Sequence, residues 1–333
     1  MKAAVLRDLN QPLEFLELVS SKNLKVGQIR VSVVYTAICG SQLGEIAGTK
    51  GHDPHLPHLL GHEGLGTVIQ VFDGQSKFQV GDNVVLHWMK GSGLDAPVPV
   101  YLSAPGETIN AGQLATFADE IICSENRATK INKGFMRPEY SFIGCSLLTA
   151  YGVFKRNLNF ISNSTLLITG IGGIGQSSLL LSKYFQASAI FIFDQNVSRS
   201  NFAQNIQAFE ELPSIDSSPI EFDYIIETTG DPVVIEKSYN LLAKKGTLCL
   251  VGVTPQGNKI RIDPMPLHYG RNIIGSYGGS AEPSIDIPKL TSILSKEDLS
   301  KLISNVTPFQ NINREIQALS SGITCGKTVL SLL

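Results

Sequence analysis

The sequence lacks the features that mark several large classes of protein. Its 333 residues hold 27 Lys and Arg against 29 Asp and Glu, which gives a formal net charge of −2. Without an excess or a cluster of positive charge, no attraction to nucleic acid or to an acidic membrane surface is expected. No run of about 20 apolar residues occurs, so no membrane-spanning helix is predicted. The first residues, MKAAVLRDLNQPLEF, carry charges throughout, which is not typical of a secretory signal.

Cysteine is also scarce. The five cysteines are odd in number and widely spaced, at Cys39, Cys123, Cys145, Cys249 and Cys325. Such a pattern in a large chain argues against a disulfide framework and predicts reduced thiols in a cytoplasmic protein. A reduced thiol is either a buried apolar filler or a metal ligand, and the residue type alone does not distinguish the two.

The arrangement of apolar residues predicts two domains of different character. Residues 1–125 read as short strands separated by Gly, Asp, Asn and Pro, which is typical of a compact β-rich domain. From residue 165 onward, buried strands alternate with helical patterns, which predicts a parallel sheet covered by helices on both faces. Two amphipathic helices and an apolar strand, KTVLSLL, complete the chain.

A glycine-rich turn is the clearest local motif. In LLITGIGGIGQ, the residues Gly170, Gly172 and Gly175 form G-x-G-x-x-G between a buried strand and a helix, and the next apolar strand ends in Asp194. This context predicts a dinucleotide site with the pyrophosphate at the helix N-terminus. The Asp194 carboxylate can accept hydrogen bonds from the adenosine ribose and would repel a 2′-phosphate, so NAD is favoured over NADP. Arg199 lies five residues further on and is a candidate contact for ribose or phosphate.

A candidate metal site comes from three separated segments. His62 and Glu63 lie in LLGHEGLGTVIQV, Cys39 lies in YTAICGSQLG and Cys145 lies in SFIGCSLLTAYG. Each of these residues alone is more often a buried core residue than a ligand. Together the two thiols and the imidazole make a Cys₂His set, which is known for catalytic zinc. Such a set leaves a fourth position for water, substrate or Glu63.

Four motifs in one order carry a resemblance to a known family. They are CGSQ at 39–42, GHEG at 61–64, GCSLLTAYG at 144–152 and GIGGIG at 170–175. With them, the chain resembles the zinc-dependent alcohol dehydrogenases of the medium-chain dehydrogenase/reductase family over essentially its whole length. The resemblance implies an α/β fold with a GroES-like β-rich catalytic domain at residues 1–147 and 280–333. A Rossmann NAD-binding domain, a doubly wound parallel sheet, is implied at residues 148–279.

The resemblance also implies roles for individual residues. Cys39, His62 and Cys145 are expected to bind the catalytic zinc, with Glu63 able to approach the metal and Ser41 bonding the substrate oxygen and taking its proton. Thr149 is implied near the nicotinamide ring and Lys327 towards the pyrophosphate. The complete set of expected cofactor contacts comprises Thr149, Gly170, Gly172, Gly173, Ile174, Gly175, Asp194, Arg199 and Lys327.

Departures from the family pattern lead to further expectations. Many members hold a second, structural zinc in a lobe with four cysteines, but the matching segment here, HWMKGSGLDAPVPVYLSAPGETINAG, has none. We therefore expect one zinc per chain and a lobe held by apolar and Pro/Gly packing. Trp88 and Tyr101 are candidates for substrate contact or for packing of the lobe, and packing is favoured. Gln42 stands where many relatives have Asp, and its carbonyl is expected to accept the imidazole N–H of His62.

The family's proton-relay histidine is also missing. Gly44 falls at its position, and the neighbouring His52, His55 and His58 are interpreted as residues of a solvated loop. Ser41, the cofactor ribose and water are therefore expected to carry the proton, with assistance from these three histidines as the less favoured alternative.

The function implied by the resemblance is hydride transfer between an alcohol and NAD, giving an aldehyde or ketone. Primary and secondary alcohols, including polyols and sugars, are candidate substrates. A homodimer or homotetramer without nucleic-acid or membrane partners is expected. Two alternatives are a zinc-free quinone or enone reductase of the same superfamily and a non-catalytic nucleotide-binding protein. Retention of Cys39, His62 and Cys145, together with Ser41, argues against both.

Overall fold

The computed structural model describes residues 1–49, 51–72, 76–104, 106–216 and 218–333. The strands are β1 (Lys2–Leu6), β2 (Glu14–Val19), β3 (Gln28–Ala37), β4 (His58–Leu59), β5 (Glu63–Val71), β6 (Asn83–His87), β7 (Tyr101–Ser103), β8 (Thr108–Ile109), β9 (Glu120–Ser124), β10 (Ala128–Lys130), β11 (Thr165–Thr169), β12 (Ala189–Phe193), β13 (Glu210–Glu211), β14 (Phe222–Glu227), β15 (Leu242–Leu250), β16 (Asn272–Gly275), β17 (Ile303–Pro308) and β18 (Lys327–Ser331). The helices are α1 (Gly40–Ile46), α2 (Leu148–Gly152), α3 (Gly173–Tyr184), α4 (Val197–Ala203), α5 (Pro232–Asn240), α6 (Met265–His268), α7 (Pro283–Ile293), α8 (Lys296–Ser300) and α9 (Ile312–Ser320).

The chain folds into two compact units. Unit 1 contains Met1–Cys145 together with Glu282–Leu333, and unit 2 contains Ser146–Ala281. No helix in the described part of the chain has both the length and the apolar character needed to cross a membrane.

Unit 1 is built on two β-sheets. One is five-stranded, in the order β4-β1-β2-β7-β8, and the other is seven-stranded, in the order β10-β6-β5-β3-β18-β17 with β9 also paired to β3. Alternating apolar residues of β3, such as Ile29, Val31 and Val33, enter one buried cluster, as expected for strands with one face towards a core. The C-terminal β18 pairs antiparallel with the end of β3, with Val329 opposite Ala37. This pairing brings the first residue of β18 into the neighbourhood of the segment that follows β3.

Unit 2 contains a six-stranded sheet in the order β13-β12-β11-β14-β15-β16. Each neighbouring pair in it is parallel. Short apolar strands such as LLI in β11 are buried on both sides, and helices connect successive strands, which is the arrangement of a doubly wound sheet. The α/β fold class predicted from the sequence is confirmed.

The lobe at residues 88–112 combines the expected apolar and Pro packing with polar bonds to its backbone. Pro99 is buried and Ile109 belongs to the main core cluster of unit 1, whereas Val98 and Val100 are exposed.

Buried polar side chains also bond the backbone of the lobe. The Glu125 carboxylate accepts from the backbone N–H of Leu94 and, outside the lobe, of Lys77, and Ser124 bonds both the N–H and the carbonyl of Ala96. The backbone polar groups of the lobe need partners, and the neighbouring segment supplies them.

The expectation for Tyr101 as a packing residue is confirmed. Its side chain is 1% exposed and belongs to the main core cluster of unit 1. Its hydroxyl accepts a hydrogen bond from the backbone N–H of Ile122 at 2.9 Å, so the polar end of the ring is satisfied inside the core.

Candidate metal centre and nucleotide-binding turn

The four predicted metal-site residues come from three elements of unit 1. Cys39 lies two residues beyond β3 and is the N-cap of α1. His62 directly precedes β5, and Glu63 is the first residue of that strand. Cys145 lies in a π-helical turn at Ile143–Leu147. Because β3 and β5 are paired neighbours, the end of one strand lies beside the start of the other, and the first two ligands are brought together.

Gly61 shows why the histidine follows a glycine. Its φ is +92°, and a Cβ placed there would lie 2.5 Å from Thr116 Oγ1 and 2.8 Å from the backbone nitrogen of Phe117. The backbone nitrogen cannot move away like the end of a flexible side chain, and a positive φ adds strain for any other residue. This glycine therefore fixes the backbone that presents His62.

The four side chains converge tightly enough for one metal ion. One ligand atom from each of Cys39, His62, Glu63 and Cys145 lies within 4.8 Å of all the others. It is the one such cluster of potential ligands found in the described residues. Sulfur and nitrogen ligands of one tetrahedral zinc lie about 3.5 Å apart, given bonds of about 2.0 to 2.3 Å. The set of two thiols, one imidazole and one carboxylate therefore fits zinc in both chemistry and spacing.

A buried carboxylate oxygen supports the same conclusion. Glu63 is fully buried, and its Oε2 has no hydrogen-bond partner among the described residues. Buried polar atoms are normally satisfied, and one without a partner calls for an explanation such as an ion. A cation bound between the thiols would supply one.

The electrostatics favour an anionic thiol in this cluster. The pKa of Cys39 is held well below its ordinary value, first by a hydrogen bond with the Cys145 thiol and also by the charge of Lys327, although burial acts in the opposite direction. The same hydrogen bond raises the pKa of Cys145 well above its ordinary value. Burial lowers the pKa of His62, but the Cys39 thiolate raises it by more. A thiolate is the form that binds metals.

A buried ion pair lies against the cluster, and no local pattern around either residue predicts it. Lys327 Nζ is 2.7 Å from Glu63 Oε1, with side chains 5% and 0% exposed. Burial raises the pKa of Glu63 to about 7, while Lys327 lowers it. Burial lowers the pKa of Lys327, but the charges of Glu63 and Cys39 raise it by more. In the structure, Lys327 is the partner of Glu63. The contact with the cofactor pyrophosphate that the resemblance implies for Lys327 stays a prediction.

The Gln42 side chain hydrogen-bonds the backbone of Cys39. Its Oε1 accepts the backbone N–H of Cys39 at 2.8 Å, and its side chain is fully buried. The oxygen thus caps the turn that carries the first thiol, and the bond from the imidazole of a zinc-bound His62 stays a prediction. The amide Nε2 has no partner in the described part of the chain.

The remaining candidates in the two units differ in their surroundings. Ser41 is exposed in the first turn of α1, and Thr149 is buried within α2 of unit 2. His52 and His55 are exposed, as expected for a solvated loop. His58 is different: its Nε2 lies within hydrogen-bond distance of Asp53 Oδ2, at 2.9 Å, and the two side chains are 13% and 23% exposed.

The glycine turn of unit 2 has the geometry that a nucleotide site requires. Gly170 has φ +84°, and a Cβ on Gly175 would lie 2.0 Å from the Gly170 carbonyl oxygen, so the turn and the packing of α3 on β11 both need glycine. At Gly172 an added Cβ would meet nothing within 4 Å. Because Gly172 has no side chain, this space beside the first turn of α3 is open to a ligand. The free N–H groups at the N-terminus of a helix can bind a phosphate there. The residues fit a dinucleotide.

Asp194 is already engaged with the backbone. Its Oδ2 accepts from the N–H of Ile171 at 2.6 Å, and its Oδ1 accepts from the N–H of Asn196 at 2.7 Å. Each carboxylate oxygen can accept a second bond, so both remain available for ribose hydroxyls. Arg199 Nη1 lies 3.8 Å from Asp194 Oδ2, which places a cation beside this carboxylate.

Comparison with known proteins identifies the family. Residues 25–133 match the model described as alcohol dehydrogenase GroES-like domain, and residues 173–296 match zinc-binding dehydrogenase. An alcohol dehydrogenase zinc-binding domain protein from Burkholderia ambifaria has a similar structure, with TM-score 0.90, 25% identity and coverage of 100% of this chain and 98% of its own. At the level of fold alone, benzyl alcohol dehydrogenase from Acinetobacter calcoaceticus is similar at TM-score 0.88 and 24% identity over 100% and 99% of the two chains. So is 2R,3R-butanediol dehydrogenase from Bacillus subtilis, at TM-score 0.80 and 20% identity over 100% and 99%. The two matched regions cover more than half of the chain, which belongs to the zinc-type alcohol dehydrogenases of the medium-chain dehydrogenase/reductase family.

Proposed function

We propose that this oxidoreductase is zinc-dependent and interconverts an alcohol with its aldehyde or ketone, using NAD as the hydride carrier. The observation that carries the proposal is the convergence of Cys39, His62, Glu63 and Cys145 within 4.8 Å. Cys39, His62 and Cys145 would hold the metal, as a Cys₂His set does in catalytic zinc sites. A bound zinc would supply Lewis acidity, which lowers the pKa of an alcohol hydroxyl.

The ion pair behind the metal site gives Glu63 a defined part. Lys327 holds one carboxylate oxygen at 2.7 Å, which leaves the partnerless Oε2 as the oxygen able to turn towards a cation. Two thiolates and a carboxylate would concentrate negative charge in a buried space. Lys327 offsets that charge, and it thereby helps to keep both thiols in the anionic form.

Proton movement is assigned to Ser41. Its hydroxyl is exposed two residues beyond Cys39, in the turn that the Gln42 amide caps. A hydroxyl can both donate and accept, so it can take a proton from the alcohol and pass it to water. Gly44, at the position of the family's relay histidine, offers no side chain for this purpose.

The choice of NAD rests on Asp194. A buried carboxylate at the end of β12 can accept ribose hydroxyls and would repel a 2′-phosphate. The open space at Gly172 and the N-terminus of α3 would receive the pyrophosphate. The nicotinamide would accept hydride from the alcohol carbon.

Metal analysis combined with turnover tests the proposal. The purified protein should contain about one zinc per chain and reduce NAD in the presence of an alcohol, and Cys39→Ser should lose both properties. Cys325→Ser is the matched control, because Cys325 is outside the metal cluster and its loss should leave zinc content unchanged. A wild-type protein without zinc that reduces quinones or enones would support the zinc-free reductase instead, and zinc binding without turnover of any alcohol would refute the proposed catalysis.

A further inference from the structure

Two buried threonines meet at the backbone of the predicted metal ligands. Thr36 Oγ1 donates to the backbone carbonyl oxygen of Glu63 at 2.8 Å, and Thr116 Oγ1 donates to the same oxygen at 3.1 Å. The two hydroxyl oxygens are 2.7 Å apart. Both threonines are 0% exposed, so these hydrogen bonds form away from bulk water, where they are stronger. We call Thr36 and Thr116 the threonine clamp.

The clamp joins three segments that carry or flank the metal ligands. Thr36 lies in β3, three residues before Cys39. Glu63 is the first residue of β5 and directly follows His62. Thr116 lies in a third segment, which hydrogen-bonds the backbone just before His62. One carbonyl thus connects the strand that leads to the first thiol, the strand that begins beside the imidazole and the segment that packs against both.

The backbone at this point has little room to shift. A Cβ on Gly64 would lie 2.5 Å from the carbonyl oxygen of Tyr35 and 3.4 Å from Thr36 Cα, so β5 approaches β3 closely here. A peptide group is planar and turns as one unit. Holding the carbonyl of Glu63 therefore holds the backbone on which the Glu63 side chain stands, next to that of His62.

The two hydroxyls can substitute for each other. Each has one proton to donate and can also accept a bond, and each is within hydrogen-bond distance of the Glu63 carbonyl oxygen. Loss of either hydroxyl leaves one side-chain donor in place, whereas loss of both removes the side-chain donors from a buried carbonyl. The effects of the two losses should therefore be far from additive, as for other residues in direct contact.

We infer that Thr36 and Thr116 are positioning residues of the metal site, which hold the backbone of His62 and Glu63 in its metal-binding conformation before the ion arrives. The inference rests on the proposed zinc site and identifies what organises it. A site that is ordered in advance loses less freedom on binding. Groups that orient metal ligands typically contribute about 10- to 100-fold to metal affinity.

The zinc affinity of the full-length protein, stripped of metal and titrated in competition with a chromophoric chelator, tests the inference. Thr36→Val and Thr116→Val keep the shape of each side chain and should each weaken zinc binding less than about threefold. The double Val variant should bind zinc about 10- to 100-fold more weakly. The double Ser variant restores both hydroxyls and should return the affinity to within about threefold of the wild type.

Three further measurements separate positioning from a general loss of stability. Tyr101→Phe removes another buried hydroxyl of unit 1, the acceptor of the Ile122 backbone N–H, and should lower the free energy of unfolding without changing zinc affinity. Release of zinc from the metal-loaded proteins to excess chelator does not require a folded metal-free variant, and it should be faster in the double Val variant alone. The thiolate charge-transfer and d–d absorption of bound Co²⁺ should likewise change only in that variant.

Three results would overturn the inference: wild-type zinc affinity in the double Val variant, an equal loss in the double Ser variant, or an equal loss in Tyr101→Phe. The proposed catalysis is tested separately by turnover of an alcohol. Zinc affinities in the expected order without turnover would support the inference and refute the catalysis. Turnover with undiminished zinc affinity in the double Val variant would refute the inference and leave the catalysis standing. A wild-type protein that binds no zinc would overturn both.

Discussion

Replacing Lys327 by Met should destabilise the metal-free protein by an amount that grows with pH. The substitution removes the cation 2.7 Å from the fully buried Glu63 carboxylate and leaves a methionine of similar length. A buried carboxylate without a partner avoids its charge by taking up a proton. The cost of that proton sets how the loss of stability depends on pH.

The pH dependence follows from the pKa of Glu63, which is 4.5 for an ordinary glutamate and about 7 in the folded protein beside Lys327. Removing the lysine raises the folded pKa of Glu63 further. Below pH 7 the carboxyl is neutral in both folded proteins, so Glu63 adds little pH dependence to the difference between them. As pH rises above 7, the wild-type carboxyl ionises beside Lys327 while that of the variant stays protonated, so the loss grows by up to about 1.4 kcal/mol per pH unit, or about 2 kcal/mol between pH 7 and pH 9. This growth adds to the cost of breaking the buried pair, for which about 3 to 5 kcal/mol is typical.

Urea unfolding at pH 7 and pH 9, with the metal removed by chelation, measures the two losses. Chelation is needed because a bound cation would neutralise Glu63 in place of Lys327. The matched control is Lys130→Met, since Lys130 pairs with Asp82 but has a side chain 61% exposed, and such surface pairs contribute about 0 to 1 kcal/mol. A Lys327→Met loss that is equal at the two pH values, or no larger than that of the control, would refute the reasoning.

Three further predictions concern the lobe, a buried histidine and the cofactor. Glu125→Ala leaves the N–H groups of Lys77 and Leu94 without their acceptor and should lower the free energy of unfolding in urea by about 2 to 4 kcal/mol; a loss below about 0.5 kcal/mol would count against this anchor. Burial lowers the pKa of His87 from 6.5 to about 4. The neutral histidine's contribution to the free energy of unfolding is therefore complete above pH 6.5 and is lost as pH falls from 6.5 through about 4, by about 2 kcal/mol between pH 7 and pH 5. In His87→Gln the decline should be smaller by that amount, and an unchanged pH profile would contradict it. Arg199→Ala should raise the preference for NAD over NADP in kcat/KM about tenfold, because a cation able to bind a 2′-phosphate is lost; an unchanged ratio would contradict a role of Arg199 in distinguishing the two cofactors.

The fold class and the glycine turn could be predicted because their signals are local. The buried run before Gly170, the turn itself and the apolar strand ending at Asp194 lie within about 30 residues, and one supersecondary unit explains them all. Helix ends were harder to predict. A helical pattern extends over VVIEKSYNLLAKKG, yet α5 ends at Asn240 and Leu242 begins β15, because the same apolar residues satisfy a buried strand.

The contacts that long-range folding creates could not be predicted. Glu63 and Lys327 are 264 positions apart, and neither residue carries a sign of the other in its own segment. The contact of Gln42 with Cys39 depends on how the turn after β3 closes, so the residue type alone did not predict it. Burial of Glu125 under the lobe likewise follows from tertiary structure, since a Glu at the end of a strand is usually solvated.

The most direct test of the central claim is X-ray absorption at the zinc edge of the purified protein. The claim predicts two sulfur ligands at about 2.3 Å and one imidazole nitrogen at about 2.0 to 2.1 Å, with a light atom in the fourth position. One sulfur should be lost in Cys145→Ser. Zinc surrounded by nitrogen and oxygen alone, or a spectrum unchanged by that substitution, would contradict the claim that Cys39, His62 and Cys145 hold one ion.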